Sequence, residues 1–220
     1  MTRAIAVLRP EPGNAATVAR VTAAGLQAIA LPLFVVRPLA WTAPDPADFD
    51  GILFTSANAV RHGGKELARL TGMPAFAVGE NSALAARAAG FDVKASGAGD
   101  AAAIIAQARA SGHARLLHLG GQERSIDIEG AIAVYASEPV PISTADLAGL
   151  TGSVAMLHSV RAAQRLAELL DSADMARDLL ALVAISPVVV QAAGTGWRAV
   201  ASAAVPRDDA MIAAAGTLVD

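Results

Sequence analysis

The sequence predicts an α/β fold made of two similar parallel-sheet domains. Three observations support this prediction: short apolar runs alternate with alanine-rich segments of helical length, turn residues separate them, and the pattern recurs in the second half of the chain. Alternating strands and helices are typical of parallel sheets, because the crossover between two parallel strands usually contains a helix. The chain of 220 residues has room for two small domains or one large one.

Nine short apolar runs are the predicted strands. Each has three to five residues and few of them contain a polar residue, which favours strands buried on both faces of a sheet. The predicted strands are residues 4–8, 28–31, 51–54, 75–78, 116–119, 132–135, 154–157, 182–185 and 199–201.

Seven alanine-rich segments are the predicted helices. Gly25 directly follows the first of them and Asp100 stands at the start of the fourth, and both residue types are common at those helix ends. The predicted helices are residues 13–24, 57–71, 81–89, 100–111, 160–170, 187–193 and 208–215.

Internal repetition is the most informative feature of the chain. "AIAVLRP" at 4–10 pairs with "RLLHLGG" at 115–121, and "GILFTSANAV" at 51–60 pairs with "VAMLHSVRAA" at 154–163. A third pair joins 75–93 to 182–200, and the three offsets lie between 103 and 111 residues. The chain is therefore predicted to contain two similar α/β units.

Two stretches that contain several prolines interrupt the alternation of predicted strands and helices. They are "LPLFVVRPLAWTAPDP" at 31–46 and "VYASEPVPIS" at 134–143. Because proline cannot continue a helix and restricts the residue before it, both stretches are predicted to be linkers between the units, rather than elements of them.

Composition excludes several classes of protein. The chain has no cysteine, so thiolate nucleophiles and cysteine-based zinc sites are absent, and its four histidines show no metal-ligand spacing. A net charge of −3 argues against a nucleic-acid partner.

No apolar run reaches the roughly 18 residues of a membrane span, and the run at 4–8 is too short for a signal peptide, so a cytoplasmic location is expected. Phosphate-binding glycine loops and a serine nucleophile elbow are also missing, which argues against a nucleotide cofactor and a serine hydrolase.

Small polar residues follow most of the predicted strands. In parallel α/β sheets, ligands bind at the carboxyl ends of strands, where free backbone N–H groups at helix N-termini suit carboxylates or phosphates. The same residue types also cap helices, so capping alone is the alternative explanation for each turn. The candidate residues are Arg9, Thr55, Ser56, Ala57, Asn58, Gly79, Ser82, Gly120, Ser159, Arg161 and Ser186.

Tyr135 is the single tyrosine of the chain and stands at the end of a predicted strand. Its phenol could donate a proton or a hydrogen bond to a ligand, or could be a half-buried linker residue with a solvated hydroxyl. His118 and His158 stand within or at the end of apolar strands, where packed histidines are the prediction and catalytic ones the alternative.

The chain resembles the uroporphyrinogen-III synthase family over nearly its full length. The resemblance is carried by "VLRPEPG" with "ALPLF", "FDGILFTSANAV", "AFAVGENSALAARAAGFDV", "LLHLGG", the "VY" before the second proline stretch and "GWRAVASAAVP", in that order and with that duplication. It implies a domain formed by 1–36 and 145–220, a second domain at 40–138, and a two-stranded linker at about 32–40 and 136–144.

The resemblance also implies the reaction. Hydroxymethylbilane, a linear tetrapyrrole rich in carboxylates, would bind between the domains and lose water to give uroporphyrinogen III with its D ring inverted, without a cofactor or a metal. Tyr135 would assist departure of the hydroxyl, and backbone N–H groups at 56–58, 79–82 and 120–122 would hold carboxylates, with Arg9, Arg124 and Arg161 as ion-pair partners. A monomer and a bacterial origin are further expectations, the latter from the many alanines and arginines beside only two lysines.

This chain departs from the family pattern at three places. Val188 and Val189 stand where the family often has threonine, His158 stands where the first repeat has Thr55, and the connection between 121 and 132 is too short for a helical crossover. These departures keep open the alternative that the chain is a synthase relative that has lost its activity. A further alternative, of a different class, is a hinge-linked binding protein for an anionic small molecule.

Overall fold

A computed structural model describes residues 3–97, 101–123 and 130–218 of the chain. The chain forms two compact units. One comprises Met1–Val35 and Pro139–Asp220, and the other comprises Val36–Glu138. Each unit is built on its own sheet.

The first unit contains a five-stranded sheet in which every neighbouring pair is parallel. Its strands are β1 (Ile5–Val7), β2 (Ala28–Ala30), β9 (Val154–Leu157), β10 (Ala181–Ala184) and β11 (Val200–Ser202), in the order β11-β10-β9-β1-β2. Its helices are α1 (Gly13–Ala23), α6 (Thr144–Ala148), α7 (Val160–Ser172), α8 (Pro187–Ala193) and α9 (Asp208–Gly216), with a short 3-10 helix at Arg177–Leu179.

The core of the first unit lies on both faces of this sheet. Successive strand residues point to opposite faces, so Ala6 packs with Leu157 and Leu166 on one face, whereas Ile5 packs with Met211 on the other. The uninterrupted apolar composition of the strands follows from this double burial, because helices cover each face.

The second unit contains a six-stranded sheet. Its strands are β3 (Phe34–Pro38), β4 (Gly51–Phe54), β5 (Pro74–Val78), β6 (Asp92–Gly97), β7 (Leu116–Gly121) and β8 (Ile132–Pro139), in the order β3-β8-β7-β4-β5-β6. The pairs from β8 to β6 are parallel. Its helices are α2 (Ala57–His62), α3 (Gly64–Ala68), α4 (Glu80–Ala88) and α5 (Ala101–Ala110), with a 3-10 helix at Pro46–Asp48. Phe54 packs on one face and Leu53 on the other.

The predicted α/β class with parallel sheets is confirmed, and so is the internal repeat. The order β2-β1-β9-β10-β11 in one sheet corresponds to β8-β7-β4-β5-β6 in the other. The registers agree residue by residue: Ile5 pairs with Val154 in the first sheet, and Leu116 pairs with Gly51 in the second. These are the positions that the offsets of 111 and 103 residues make equivalent.

All nine predicted strands are present, within one residue at their starts and at most four at their ends. Both proline stretches contain strand residues beyond those predicted, although the chain passes from one compact unit to the other within each stretch, and their role as linkers stays a prediction. Phe34–Pro38 is a strand, and β8 continues to Pro139. Pro38 and Pro139 are the last residues of these two strands. β3 is at the edge of the sheet, where a missing proline N–H costs no hydrogen bond between strands. The strand at Asp92–Gly97 was also not predicted, because its residues alternate in burial and include two charges.

The single helix predicted at 57–71 is also wrong. The chain forms two short helices there, because Gly64 adopts a left-handed backbone conformation with φ of 61°. Helix α6 was not predicted, although Ser143 and Asp146 form a capping box at its start. None of the helices in the described ranges is long and apolar enough to cross a membrane.

Candidate active site

The carboxyl edge of the second sheet, meaning the ends of its parallel strands, carries one group of the candidate residues. Thr55 to Asn58 follow β4, Gly79 follows β5, and Gly120 is the second-to-last residue of β7. Tyr135 reaches the same level because it pairs with Gly121 in the register between β7 and β8. Since β8, β7, β4 and β5 are consecutive neighbours, the fold brings these residues to one edge.

The carboxyl edge of the first sheet carries the other group. Arg9 follows β1, Ser159 and Arg161 follow β9, and Ser186 follows β10. These three strands are neighbours in the order β10-β9-β1, so the four residues also share one edge.

In the turn after β4, one backbone N–H group donates to the helix cap and another has no acceptor among the described residues. Ser56 caps α2, and its Oγ accepts the Asn58 N–H at 3.1 Å. The expectation that the Asn58 N–H is open to a ligand is therefore wrong. The N–H of Ala57, the first helical residue, has no acceptor among residues 3–97, 101–123 and 130–218, as is usual in a first helical turn.

The other expected N–H donors are partly occupied as well. The Gly79 N–H donates to Gly97 O at 2.7 Å, the Ser82 N–H to Gly79 O at 3.2 Å, and the Gln122 N–H to Tyr135 O at 2.8 Å. In the first turn of α4, the N–H groups of Glu80 and Asn81 have no acceptor within the described part of the chain. Gly79 has a φ of 80° at this helix start, which a residue with a side chain adopts only with strain.

Thr55 and His118 share a hydrogen bond. Thr55 Oγ1 lies 2.9 Å from His118 Nε2, and the His118 side chain is buried within β7. The prediction that His118 is packed in the core is confirmed. Its bond to Thr55 was not predicted, because the two residues are 63 positions apart and only strand pairing brings them together.

Tyr135 is half-buried against the core of the second unit. Its ring lies over the backbone of Gly121, and the His62 ring centroid is 6.3 Å from its own. Within the described residues, the Tyr135 hydroxyl has no hydrogen-bond partner. A half-buried phenol with no partner among the described residues can donate to a ligand.

A buried charge network occupies the carboxyl edge of the first sheet. Asp208, at the start of α9, accepts hydrogen bonds from Thr17 Oγ1 at 2.6 Å, Arg20 Nη1 at 2.7 Å, Arg9 Nη1 at 3.2 Å and His158 Nε2 at 3.2 Å. Only a tenth of the Asp208 side chain is exposed. Arg9, expected to pair with a substrate carboxylate, is therefore already paired with a carboxylate of its own unit.

Burial and hydrogen bonding oppose each other in this network. Burial by itself would raise the pKa of Asp208, but the hydrogen bonds from His158 and Thr17 and the charge of Arg9 hold that pKa below its usual value. Burial lowers the pKa of His158, and the Asp208 carboxylate only partly offsets this effect. Neutral His158 donating from Nε2 to ionised Asp208 is therefore the state at neutral pH.

We expect the free energy of unfolding to fall as the pH is lowered from 7 to 5, in part because of His158. Its folded pKa lies below the ordinary 6.5, so the unfolded chain takes up the proton first and acid favours unfolding. The slope due to one group is at most about 1.4 kcal/mol per pH unit. Urea unfolding at several pH values should show a smaller slope in His158→Asn. His62, whose pKa is also lowered by burial, is present in both proteins and contributes equally to both slopes. Equal slopes in wild type and His158→Asn would contradict the assignment of this pH dependence to His158.

The remaining turns of the first unit are conventional helix starts. Ser159 caps α7 by accepting the Ala162 N–H at 3.2 Å, whereas Ser186 starts α8 without a side-chain cap. Arg161 stacks over the Phe34 ring at 4.7 Å. Val188 is 63% exposed beside Ser186, so this turn presents an apolar side chain.

Metal ligands do not cluster in the described ranges, where no three carboxylate or histidine side chains come together in a way that could hold an ion. Arg124, an expected ion-pair partner, lies outside the described residues, as do Asp100 and most of the connection between β7 and β8.

Comparisons with known proteins found a matching family model and similar solved structures. The family model described as uroporphyrinogen-III synthase HemD matches residues 15–213. The uroporphyrinogen-III synthetase structure from Helicobacter pylori is 16% identical, with coverage of 98% of this chain and 99% of that chain and a TM-score of 0.66, which shows a shared fold. A mutant uroporphyrinogen III synthase from the extremely thermophilic bacterium Thermus thermophilus is also 16% identical, covers 96% of each chain and has a TM-score of 0.47. No curated protein sequence matches the chain.

Proposed function

The chain belongs to the uroporphyrinogen-III synthase family, whose members are cyclising lyases of tetrapyrrole biosynthesis, and from this premise we infer how its residues serve that reaction. The family-model match over 15–213 is the observation that carries the function. The substrate is the linear tetrapyrrole hydroxymethylbilane, which loses water and closes to uroporphyrinogen III with ring D inverted.

The reaction needs positioning more than strong acid–base groups. Departure of the terminal hydroxyl as water requires one proton and leaves an electrophilic azafulvene. Attack by the substituted carbon of ring D gives a spiro intermediate, which fragments and recloses in the inverted orientation. The final closure releases the proton of the free α-carbon of ring D, which balances the proton used when the hydroxyl departs. The substrate supplies the electrons for each step, so the protein holds the carboxylates and determines which carbon attacks.

We propose that Tyr135 donates the hydrogen bond, and then the proton, that assists departure of the hydroxyl. Its position at the carboxyl edge of the second sheet and the lack of a hydroxyl partner in the described ranges support this role. Nearby, the Thr55 hydroxyl is held by His118, which supports Thr55 as a substrate contact whose orientation is fixed.

We propose that the open N–H groups of Ala57, Glu80 and Asn81 bind substrate carboxylates, with Ser56 and Gly79 shaping the two turns. Asn58, Ser82 and Gly120 are assigned supporting roles. Asn58 donates its N–H to the cap, Ser82 is 4% exposed, and Gly120 lies buried within β7.

In the first unit, Ser159, Arg161 and Ser186 are proposed carboxylate contacts. Arg161 is a cation at the carboxyl edge, and the Ser186 side chain is not used for capping. Arg9 is proposed to act through the Asp208 network, which holds its guanidinium at this edge.

Catalysis is tested by following freshly generated hydroxymethylbilane after adding purified protein that has been treated with a chelator and dialysed. We expect consumption to accelerate in proportion to enzyme concentration without added metal or cofactor, because the proposed steps use only side chains and backbone donors. Saturable binding without acceleration would indicate a binding protein or an inactive relative, and would contradict the proposal.

The domain boundaries at 1–36 with 145–220 and at 40–138 stay predictions, as do a monomer and a cytoplasmic location. We propose that the two compact units correspond to these domains. Limited proteolysis, light scattering and cell fractionation test the three expectations separately.

A further inference from the structure

Gly121 lies directly beneath the phenol end of Tyr135. A Cβ built on Gly121 would be 2.9 Å from Tyr135 Cζ, 3.0 Å from Cε2 and 3.1 Å from the hydroxyl oxygen. Carbon atoms in contact normally lie about 3.5 to 4.0 Å apart. The phenol therefore occupies space that any side chain at position 121 would need.

The strand register explains why the ring lies there. Gly121 pairs with Tyr135, and the pairing of β7 with β8 shifts between Gly120 and Gly121. Such irregularities re-aim a side chain, and the Gln122 N–H holds the Tyr135 carbonyl at 2.8 Å just beyond this point. The backbone of Tyr135 is thus fixed next to a strand position that lacks a side chain.

Packing contacts, rather than hydrogen bonds to described residues, place the phenol. The hydroxyl has no partner in the described part of the chain, and the His62 ring, at 6.3 Å and tilted by 40°, is the other aromatic ring near it. A ring that is positioned by packing moves when an added atom takes part of its space. A side chain at position 121 would add such an atom at the hydroxyl end of the ring.

We propose that Gly121 is a positioning residue for the reaction, because its missing side chain sets where the Tyr135 hydroxyl meets the departing hydroxyl of the substrate. The inference rests on the proposed role of Tyr135. Displacement of a reacting group by about 1 Å can lower a rate by up to about 100-fold, so alanine at position 121 is expected to lower turnover strongly.

Four proteins test this role: Gly121→Ala, Tyr135→Phe, the double variant, and Gly72→Ala as a matched control, since a Cβ at Gly72 meets no atom within 4 Å. In Gly121→Ala we expect kcat to fall about 10- to 100-fold with KM within about twofold of wild type. In the Tyr135→Phe background the same change should cost less than about twofold, since the hydroxyl is already gone. Gly72→Ala should match wild type.

A second readout does not depend on activity. Tyr135 is the only tyrosine, so protein labelled with 3-fluorotyrosine gives a single fluorine resonance. We expect this resonance to move in Gly121→Ala and to stay in Gly72→Ala. An unmoved resonance would overturn the proposed contact, even if the chain proves inactive.

The kinetic outcomes separate the two claims. Full kcat in Gly121→Ala, or an equal loss with and without the Tyr135 hydroxyl, would overturn the positioning role. Full activity of Tyr135→Phe would overturn the role of Tyr135, and the positioning role with it. If Gly121→Ala does not fold, Gly121→Ala with Tyr135→Leu should restore folding, since leucine lacks the crowded Cζ and hydroxyl, and failure to do so would overturn the contact.

Discussion

Replacing Tyr135 with phenylalanine is expected to lower the rate of uroporphyrinogen III formation by about 100-fold, the lower end of what a positioned proton donor contributes. The lost group is the hydroxyl that we propose assists departure of water from the substrate. Substrate binding should change little, because the proposed carboxylate contacts lie on other residues, so the loss should appear in kcat with KM nearly unchanged. Steady-state kinetics with freshly generated hydroxymethylbilane measure both constants.

Stability provides the control for this variant. The Tyr135 hydroxyl has no hydrogen-bond partner among the residues that the structure describes, so its removal should leave the free energy of unfolding within about 0.5 kcal/mol of wild type. Slower turnover with unchanged stability would assign the effect to the reaction. If Tyr135→Phe keeps full turnover and forms the same isomer, the role given to Tyr135 is wrong.

The largest effect on stability is expected from Asp208→Ala. Asp208 is nine-tenths buried and accepts hydrogen bonds from four side chains on three other segments of the first unit. Its removal leaves the buried His158 and Thr17 donors unpaired and Arg9 without its counter-charge. We expect a loss of about 3 kcal/mol, at the low end for a broken buried pair because Arg9 and Arg20 keep contact with water. Urea unfolding at pH 7 measures the difference.

The neighbouring carboxylate supplies the matched control. Asp209 follows Asp208 on the same helix and pairs with Arg207, but both side chains are mostly exposed. Exposed pairs contribute little to stability, so Asp209→Ala should unfold at nearly the wild-type urea concentration. Equal destabilisation by the two substitutions would show that the loss reflects the start of α9 and not the network.

Local patterns in the sequence were enough for much of the fold. The strands Gly51–Phe54 and Val154–Leu157 begin and end where predicted, because each is a fully buried apolar run between turn residues. The strand Phe34–Pro38 does not follow from the sequence, because proline is tolerated in an edge strand and the sequence alone does not show which strand is at the edge. The internal repeat in the sequence was enough to predict two similar units. The repeated segments occupy equivalent places in the two sheets.

The candidate site was harder to predict, because its contacts join distant parts of the chain. The sequence marks Asp208 only as the first residue of a predicted helix, and the side chains that contact it precede it by 50 to 199 positions. The contact of Tyr135 with Gly121 depends on the register of two strands, which the residues alone do not specify. The only sequence feature that points to the Asp208 network is an acidic residue at the start of a helix. This feature is common and does not identify the side chains that contact Asp208.

The isomer composition of the product tests the central claim most directly. Hydroxymethylbilane generated in the presence of the protein is allowed to react, the products are oxidised, and the type I and type III uroporphyrins are separated and measured. The type III isomer should predominate and its share should rise with enzyme concentration, because spontaneous closure gives only type I. Type I product alone, at every enzyme concentration, would contradict the assignment of synthase activity to this chain.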